Sequence, residues 1–290
     1  MRKLALLSLL VLGLSVYLSA QPSGPPDIQE TFVTNPTSGA ALFIQLYAPQ
    51  RGAGPWPALV LVPGGRSAGS QSFRPLVAQQ YADLGFLVVV FDPDGRGRSS
   101  GIEDDDGFVQ QDGLKAVIEY AAGLSQSEGR VVLASFSYGI TMATGALARY
   151  QELPVVLLLD WEGPADRNDT GGCDVDHVGH LHAGCGNEAF WAEREAATFI
   201  KEIQVPYQRL QSLKDHVQPD HDHALLLINN ATNTAFGGNG KSPWTRLNDE
   251  EPNRVYGPDT PVTWLPEGVH NDQLVSKYLE EFLRGEIPGT

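Results

Sequence analysis

Between Arg130 and Ala146 the chain reads Arg-Val-Val-Leu-Ala-Ser-Phe-Ser-Tyr-Gly-Ile-Thr-Met-Ala-Thr-Gly-Ala. The β-branched start predicts a strand, the small residues after Gly139 predict a closely packed helix, and Ser135 to Gly139 is the tight turn between them. Such a turn lifts the Ser137 hydroxyl clear of the strand end and aims the next backbone N–H at a developing charge. Small residues are needed on either side because backbones pass close together. Gly139 fills the second of these places and Ser135 the first. The same pattern also serves as a plain strand–helix connection, so the chemistry depends on partners. A serine nucleophile needs a base within hydrogen-bond reach, an acid to orient that base, and N–H donors for an oxyanion.

Partners are available downstream. Asp215 and His270 each follow a segment predicted as a strand, Val205 to Gln211 and Val262 to Leu265. Strand ends are where open α/β sheets collect functional residues. Asp160 and Glu162, at the end of the run from Pro154, compete with Asp215 for the role of acid. His216, beside Asp215, reads as a solvent-exposed turn residue. Gly64-Gly65, after the apolar run Ala58 to Val62, allows a backbone N–H to approach substrate closely. Gly65 and Tyr138 are therefore the expected oxyanion donors.

The elements that must position these groups follow from the pattern. Ile28 to Val33 and Ala41 to Tyr47 read as an antiparallel hairpin. Ala58 to Val62, Phe86 to Phe91 and Pro154 to Asp160 are continuous apolar runs, as expected of strands buried on both faces. Ser72 to Leu84, Phe108 to Ala122, Asp222 to Asn230 and Leu274 to Leu283 suit helices, and Asn233 to Pro261 reads as a long loop. Strands alternating with helices over this length predict an α/β fold with a mostly parallel sheet covered by helices on both faces.

Four places resemble the α/β-hydrolase superfamily, with the carboxylesterase and dienelactone-hydrolase-like members closest. Val62-Pro63-Gly64-Gly65 is similar to its oxyanion loop after the third strand. Asp92-Pro-Asp-Gly-Arg-Gly-Arg-Ser-Ser-Gly101 is similar to the loop after the fourth strand and is read here as structural. Ser135 to Gly139 matches the elbow, and Lys214-Asp215-x-Val217-x-Pro219 resembles the turn that presents the acid. The resemblance spans Ala41 to Leu283. It implies the chain order Ser137, Asp215, His270 for nucleophile, acid and base. Pro63 stands where a histidine is usual, Ser135 replaces the first elbow glycine, and Ile140 replaces a glycine common in related peptidases.

The compartment is legible at the N-terminus. Arg2 and Lys3 precede the apolar stretch Leu4 to Leu18, and Leu18-Ser19-Ala20 offers a cleavage site, so residues 1–20 read as an export signal. The stretch is short for a membrane span, and no stable membrane insertion is expected after cleavage. A formal charge of −15 argues against nucleic acid and anionic membrane surfaces as partners. The two cysteines, Cys173 and Cys185, are expected to form one local disulfide in an oxidising compartment. They lie in 161–204, the compositional outlier of the chain, read as a cap inserted after the sixth strand. Asp174, Asp176, His177, His180 and His182 within it have metal-ligand chemistry but also suit a solvated loop. Together these readings predict a secreted or periplasmic serine hydrolase of small-molecule carboxylic esters that needs no cofactor. The alternatives are a peptidase or amidase on the same fold, and a catalytically idle metal-binding relative.

Overall fold

Residues 58–62, 87–91 and 131–136 are buried along their whole length, and their side chains alternate between two separate cores. Val60, Val89 and Leu133 face one core, while Leu59, Val88 and Val132 face the other. A two-residue side-chain period through a sheet covered on both faces produces this division. The computed structural model describes residues 27–173, 181, 183–267 and 271–288. The expected export signal lies outside them.

Along the chain the elements are β1 (Ile28–Thr34), β2 (Ala41–Tyr47), β3 (Trp56–Val62), α1 (Gly69–Ser72), α2 (Pro75–Asp83), β4 (Leu87–Phe91), α3 (Phe108–Gly123) and β5 (Ser127–Phe136). There follow α4 (Gly139–Arg149), β6 (Val155–Trp161), α5 (Arg167–Gly171), α6 (Glu188–Trp191), α7 (Ala196–Phe199), β7 (Tyr207–Leu210), α8 (Asp222–Ala231), β8 (Thr245–Leu247) and α9 (Asn271–Leu283). The eight strands form one sheet in the order β1-β2-β4-β3-β5-β6-β7-β8. β1 and β2 pair antiparallel, β2 joins β4 antiparallel, and every later pairing is parallel. Leu114, Val117 and Ile118 of α3, Ile140 and Ala143 of α4, and Leu227 and Ile228 of α8 cover one face. Tyr81 of α2 and Leu274, Tyr278 and Phe282 of α9 cover the other. Each fully buried Val, Leu or Phe contributes roughly 1.5–3 kcal/mol. The mostly parallel, doubly covered sheet is the one expected. Among the described residues no helix is long and apolar enough to cross a membrane.

Two expectations change. The helix expected over 72–84 is present but starts at Pro75, whose fixed φ and missing N–H suit the first helical position, and a separate short helix, Gly69–Ser72, precedes it. The last strand is Thr245–Leu247, inside the expected loop, and not Val262 to Leu265. Both segments use the same edge of β7 in succession. Thr245–Leu247 pairs with Tyr207–Arg209, and Asn248, at φ 51, then turns the chain away. Leu265 takes over further along, bridging Ser212 and exchanging backbone hydrogen bonds with Gln211 and Leu213. Pro261 and Pro266 bracket that segment and cannot donate to a longer ladder.

Candidate active site

The turn after β5 carries strain at one residue. Ser137 has φ 51, a left-handed conformation that a serine adopts only when its surroundings impose it. Its N–H donates to the Trp161 carbonyl at 2.8 Å, tying the turn to the end of β6. Gly139 is required by space: a Cβ there would lie 2.6 Å from the Pro63 carbonyl oxygen and 2.9 Å from that of Val62. Gly64 is required from the other side, since its Cβ would meet the Phe136 oxygen at 2.5 Å and Ser137 Cβ at 2.9 Å. The 63–66 loop therefore rests against the serine. Ser135 is buried and its hydroxyl donates to the Leu159 carbonyl at 3.2 Å, a lock between strands.

A histidine and a carboxylate stand in line with this serine. His216 Nε2 lies 2.9 Å from Ser137 Oγ, and His216 Nδ1 lies 2.8 Å from Glu162 Oε2. Glu162 is buried and also has a left-handed φ, 49. It accepts backbone hydrogen bonds from Ser212 and His216, so its carboxylate is fixed on several sides. The Trp161 ring packs on the imidazole at 4.5 Å between centroids. Strand adjacency explains the meeting. Phe136 pairs with Trp161 and Trp161 with Leu210, so the residues just past β5, β6 and β7 emerge side by side at the carboxyl end of the sheet. With Nδ1–H donated to Glu162, Nε2 is left as an acceptor for the serine proton.

The carboxylate that meets His216 Nδ1 is thus that of Glu162, where Asp215 was expected. Asp215 is spent on its own turn. Its Oδ1 accepts from the N–H groups of Val217 and Gln218, and its Oδ2 accepts from Gln211 Nε2. Its distance to His216 Nδ1 is 3.4 Å, against 2.8 Å for Glu162. Burial alone would raise its pKa, but neighbouring His223, Gln211 and the two amides outweigh that and hold it well below the usual carboxylate range. His216 is exposed, as expected, and its Nε2 also faces Ser137 Oγ. His270 lies outside the described residues. Asp160 is fully buried and held by Arg209 and the Tyr207 hydroxyl, away from the imidazole.

The expected oxyanion donors sit on two elements that share an anchor. Gly65 adopts φ +56 in the turn after β3, and Tyr138 begins α4, where backbone N–H groups lack helical acceptors. Arg66 pairs through two nitrogens with Asp105, and the Tyr138 hydroxyl donates to the Asp105 carbonyl at 3.0 Å. The Asp92 carboxylate accepts from Ser70 and from the Arg98 N–H, fixing the loop after β4 as expected. Between β6 and β7, Leu181 and Trp191 pack on Tyr138. The Cys173–Cys185 disulfide is formed and encloses Leu181. The other potential ligands of that loop, Asp174, Asp176, His177, His180 and His182, lie outside the described residues. Glu162, Asp215 and His216 stand within 4.8 Å of one another, a spacing that suits a metal ion. Both imidazole nitrogens, however, already face Glu162 and Ser137.

A pocket of about 300 Å³ opens beside Ser137 and His216, walled by Phe73, Val77, Phe136 and Trp161. Ser72, Arg74, Asn271 and Asp272 also line it, so its lining mixes aromatic and polar groups.

Comparison with known proteins agrees on the fold. The family model for X-Pro dipeptidyl-peptidase (S15 family) matches residues 38–178, just under half of the chain. No curated protein sequence matches it. Among solved structures, Est1E from Butyrivibrio proteoclasticus with bound ferulic acid superposes with a TM-score of 0.62 at 16% identity, covering 88% of this chain and 98% of its own. The Pyrococcus furiosus esterase Pf2001 gives 0.61 at 15%, covering 89% and 92%. Acetyl xylan esterase 1 from Thermoanaerobacterium sp. JW/SL YS485 gives 0.62 at 15%, covering 89% of each chain. The sheet order, the elbow and these superpositions make the fold that of an α/β-hydrolase.

Proposed function

We propose that this chain, an α/β-hydrolase by fold, is an exported serine hydrolase that cleaves carboxylic esters through an acyl-enzyme. Ser137 Oγ attacks the ester carbonyl carbon while His216 Nε2 takes the hydroxyl proton. The carbonyl electrons move onto oxygen, and the N–H groups of Gly65 and Tyr138 stabilise the resulting oxyanion. Glu162 holds the imidazole in the tautomer that accepts at Nε2 and stabilises the imidazolium once formed. Collapse of the tetrahedral intermediate breaks the C–O bond, and the departing alcohol takes the proton from His216. Water then repeats the sequence in the second half, giving the acid and free Ser137.

The observation that carries this reading is the unbroken line Glu162–His216–Ser137, with left-handed backbone at both Ser137 and Glu162. Such strain persists where surrounding structure over-determines it, as at active sites. The three esterases of similar fold support an ester as substrate. Export is supported by the N-terminal signal pattern and by the disulfide, which persists in an oxidising compartment.

The family match favours a second reading, hydrolysis of peptide amides by the same machinery. It covers the oxyanion loop and the elbow but ends before His216. Fluorophosphonate labelling followed by peptide mass mapping tests the shared claim. A label on Ser137 is expected, and an unlabelled, folded protein refutes it. Faster turnover of short acyl esters than of aminoacyl-nitroanilides is expected for an esterase, and the reverse order establishes the amide reading.

A further inference from the structure

Glu103, Asp104, Asp105 and Asp106 follow one another between β4 and α3, and three arginines from separate parts of the chain take up their carboxylates. Arg96, buried, pairs with Glu103 through two nitrogens at 2.8 Å each and with Asp106 at 2.6 Å. Arg194, between α6 and α7, donates to the Asp104 carboxylate at 2.6 Å and twice to the Asp104 carbonyl, at 3.0 and 2.8 Å. Arg66, on the loop after β3, meets Asp105 through Nε and Nη2. Asp105 and Asp106 both have left-handed backbone, at φ 49 and 61. Two such residues in a row persist where their surroundings over-determine them. Here the Asp105 N–H donates to Glu103 Oε1 at 2.8 Å and the Asp106 N–H to Gln110 Oε1 at 2.6 Å, beside the three arginines. The turn is a fixed point to which neighbours can be tied.

Two of those neighbours carry the expected oxyanion donors, and packing does not place the two donors equally well. The Tyr138 N–H belongs to the elbow, which the close contacts of Gly64 and Gly139 and the Ser137–Trp161 hydrogen bond hold tightly. The Gly65 N–H belongs to a turn tied within itself by the Ser67 N–H donating to the Gly64 carbonyl at 3.2 Å. A Cβ at Gly65 would meet nothing within 4 Å, so on that side no described residue packs against it. The restraint has to come from the residue that follows, which is Arg66. Asp105 reaches both donors' residues. Its carboxylate accepts from Arg66, and its carbonyl accepts from the Tyr138 hydroxyl at 3.0 Å.

We propose that Asp105 is a positioning residue for the oxyanion hole, setting the Gly65 N–H against the Tyr138 N–H through Arg66. This deepens the esterase reading and rests on it. The Arg66 side chain is 54% exposed and that of Asp105 17%, so water screens the pair and it adds little to global stability. Its effect is one of position. Oxyanion donors act only within a narrow range of distance, about 2.7–3.1 Å from the oxygen, so a small displacement of Gly65 weakens the transition state more than the ground state.

The test uses the full mature protein, 4-nitrophenyl butyrate as substrate, and 1,1,1-trifluoro-2-octanone, a ketone to which a serine adds to leave an oxyanion in the hole. Asp105→Asn suits the purpose because asparagine tolerates left-handed backbone while the charge and one acceptor are lost. It is expected to lower kcat about tenfold, with KM within about threefold and the melting temperature within about 3 °C of the wild type. The inhibition constant of the ketone is expected to rise by the same factor as kcat falls. Arg66→Gln is expected to behave alike, and the double variant to be no slower than the slower single one, since the two residues act as a unit. Glu30→Gln breaks the exposed Glu30–Arg98 pair and is expected to leave kcat unchanged. A kcat for Asp105→Asn within about threefold of the wild type overturns the inference. So does a fall in kcat with the ketone's inhibition constant unchanged, or additive losses in the double variant. Those failures leave the esterase reading standing, because the wild type still turns over the ester and Ser137 is still labelled by fluorophosphonate. A wild type that turns over no ester and stays unlabelled removes that reading and this inference together.

Discussion

Replacing Glu162 by glutamine changes one carboxylate oxygen into an amide nitrogen without changing the side chain's size. Glu162 Oε1 accepts from the Ser212 N–H at 3.1 Å, and Oε2 accepts from His216 N at 3.2 Å and His216 Nδ1 at 2.8 Å. If the amide nitrogen introduced by Glu162→Gln faces His216, it meets Nδ1 as a donor. The imidazole must then carry its proton on Nε2, where it points at Ser137 Oγ and can no longer accept. If it faces Ser212 instead, two buried donors confront each other at a cost of about 1–3 kcal/mol, and the neutral oxygen left beside Nδ1 stabilises an imidazolium poorly. Either way the base fails. By analogy with other triads the loss in kcat is about 10⁴, which is roughly 5–6 kcal/mol of transition-state stabilisation. Asp215→Asn is expected to stay within about a hundredfold of the wild type, because Asp215 mainly holds the 215–218 turn through Val217 and Gln218. The assay is kcat and kcat/KM on a short-chain ester, with circular dichroism confirming the fold of each variant. A Glu162→Gln enzyme within tenfold of the wild type, beside a severely damaged Asp215→Asn, refutes the reasoning and returns the acid to Asp215.

Three further outcomes are expected. Ser137→Ala should abolish ester turnover by about 10⁴ to 10⁶, while Ser135→Ala, which loses a hydrogen bond to the Leu159 carbonyl, should keep much of it; steady-state kinetics on both variants decide this. Asp215 is held below its ordinary pKa in the folded state, so its stabilising contribution is complete above about pH 4 and is lost as pH falls through that value toward the depressed folded one. Denaturant titrations at pH 7 and pH 3 should show a smaller acid loss in Asp215→Asn than in the wild type, and identical losses would contradict it. Opening the Cys173–Cys185 bond, which closes a loop of sequence separation 12, should cost the cap segment up to about 3 kcal/mol in the chain-entropy model. Because Leu181 in that loop packs on Tyr138, reductant should alter the ratio of large-ester to small-ester kinetics. Unchanged ratios would make the bond a staple only.

The sheet was legible because its strands are buried on both faces, so their apolar runs stand out without needing alternation. The elbow was legible for a different reason, since close backbone approach at Gly64 and Gly139 dictates residue type locally. The last strand was not, because Thr245-Arg246-Leu247 is three residues long inside a polar loop and is fixed by pairing with β7. The contact between Glu162 and His216 was not legible for a subtler cause, and His270, the expected base, lies outside the described residues. Glu162 stood among the candidate acids, and His216 adjoined the chosen one, but which side chain of the Asp215-His216 pair points at the serine is settled by one turn. Aspartate readily hydrogen-bonds the amides that follow it, and Asp215 does so, leaving His216 to project toward Ser137. Strand adjacency, which sets Glu162 beside that turn, is not written in any local pattern. Two signals pointed that way in sequence: an acid directly past a buried strand, followed by Gly163 and Pro164.

The identity of the base is the central claim, and two histidines compete for it. Separate His216→Ala and His270→Ala variants, compared with the wild type in single-turnover kinetics and in the rate of Ser137 fluorophosphonate labelling, test it directly. His216→Ala is expected to lose about 10⁴ or more in turnover and to label slowly, while His270→Ala stays within about a hundredfold. A silent His270→Ala enzyme beside an active His216→Ala enzyme would contradict it.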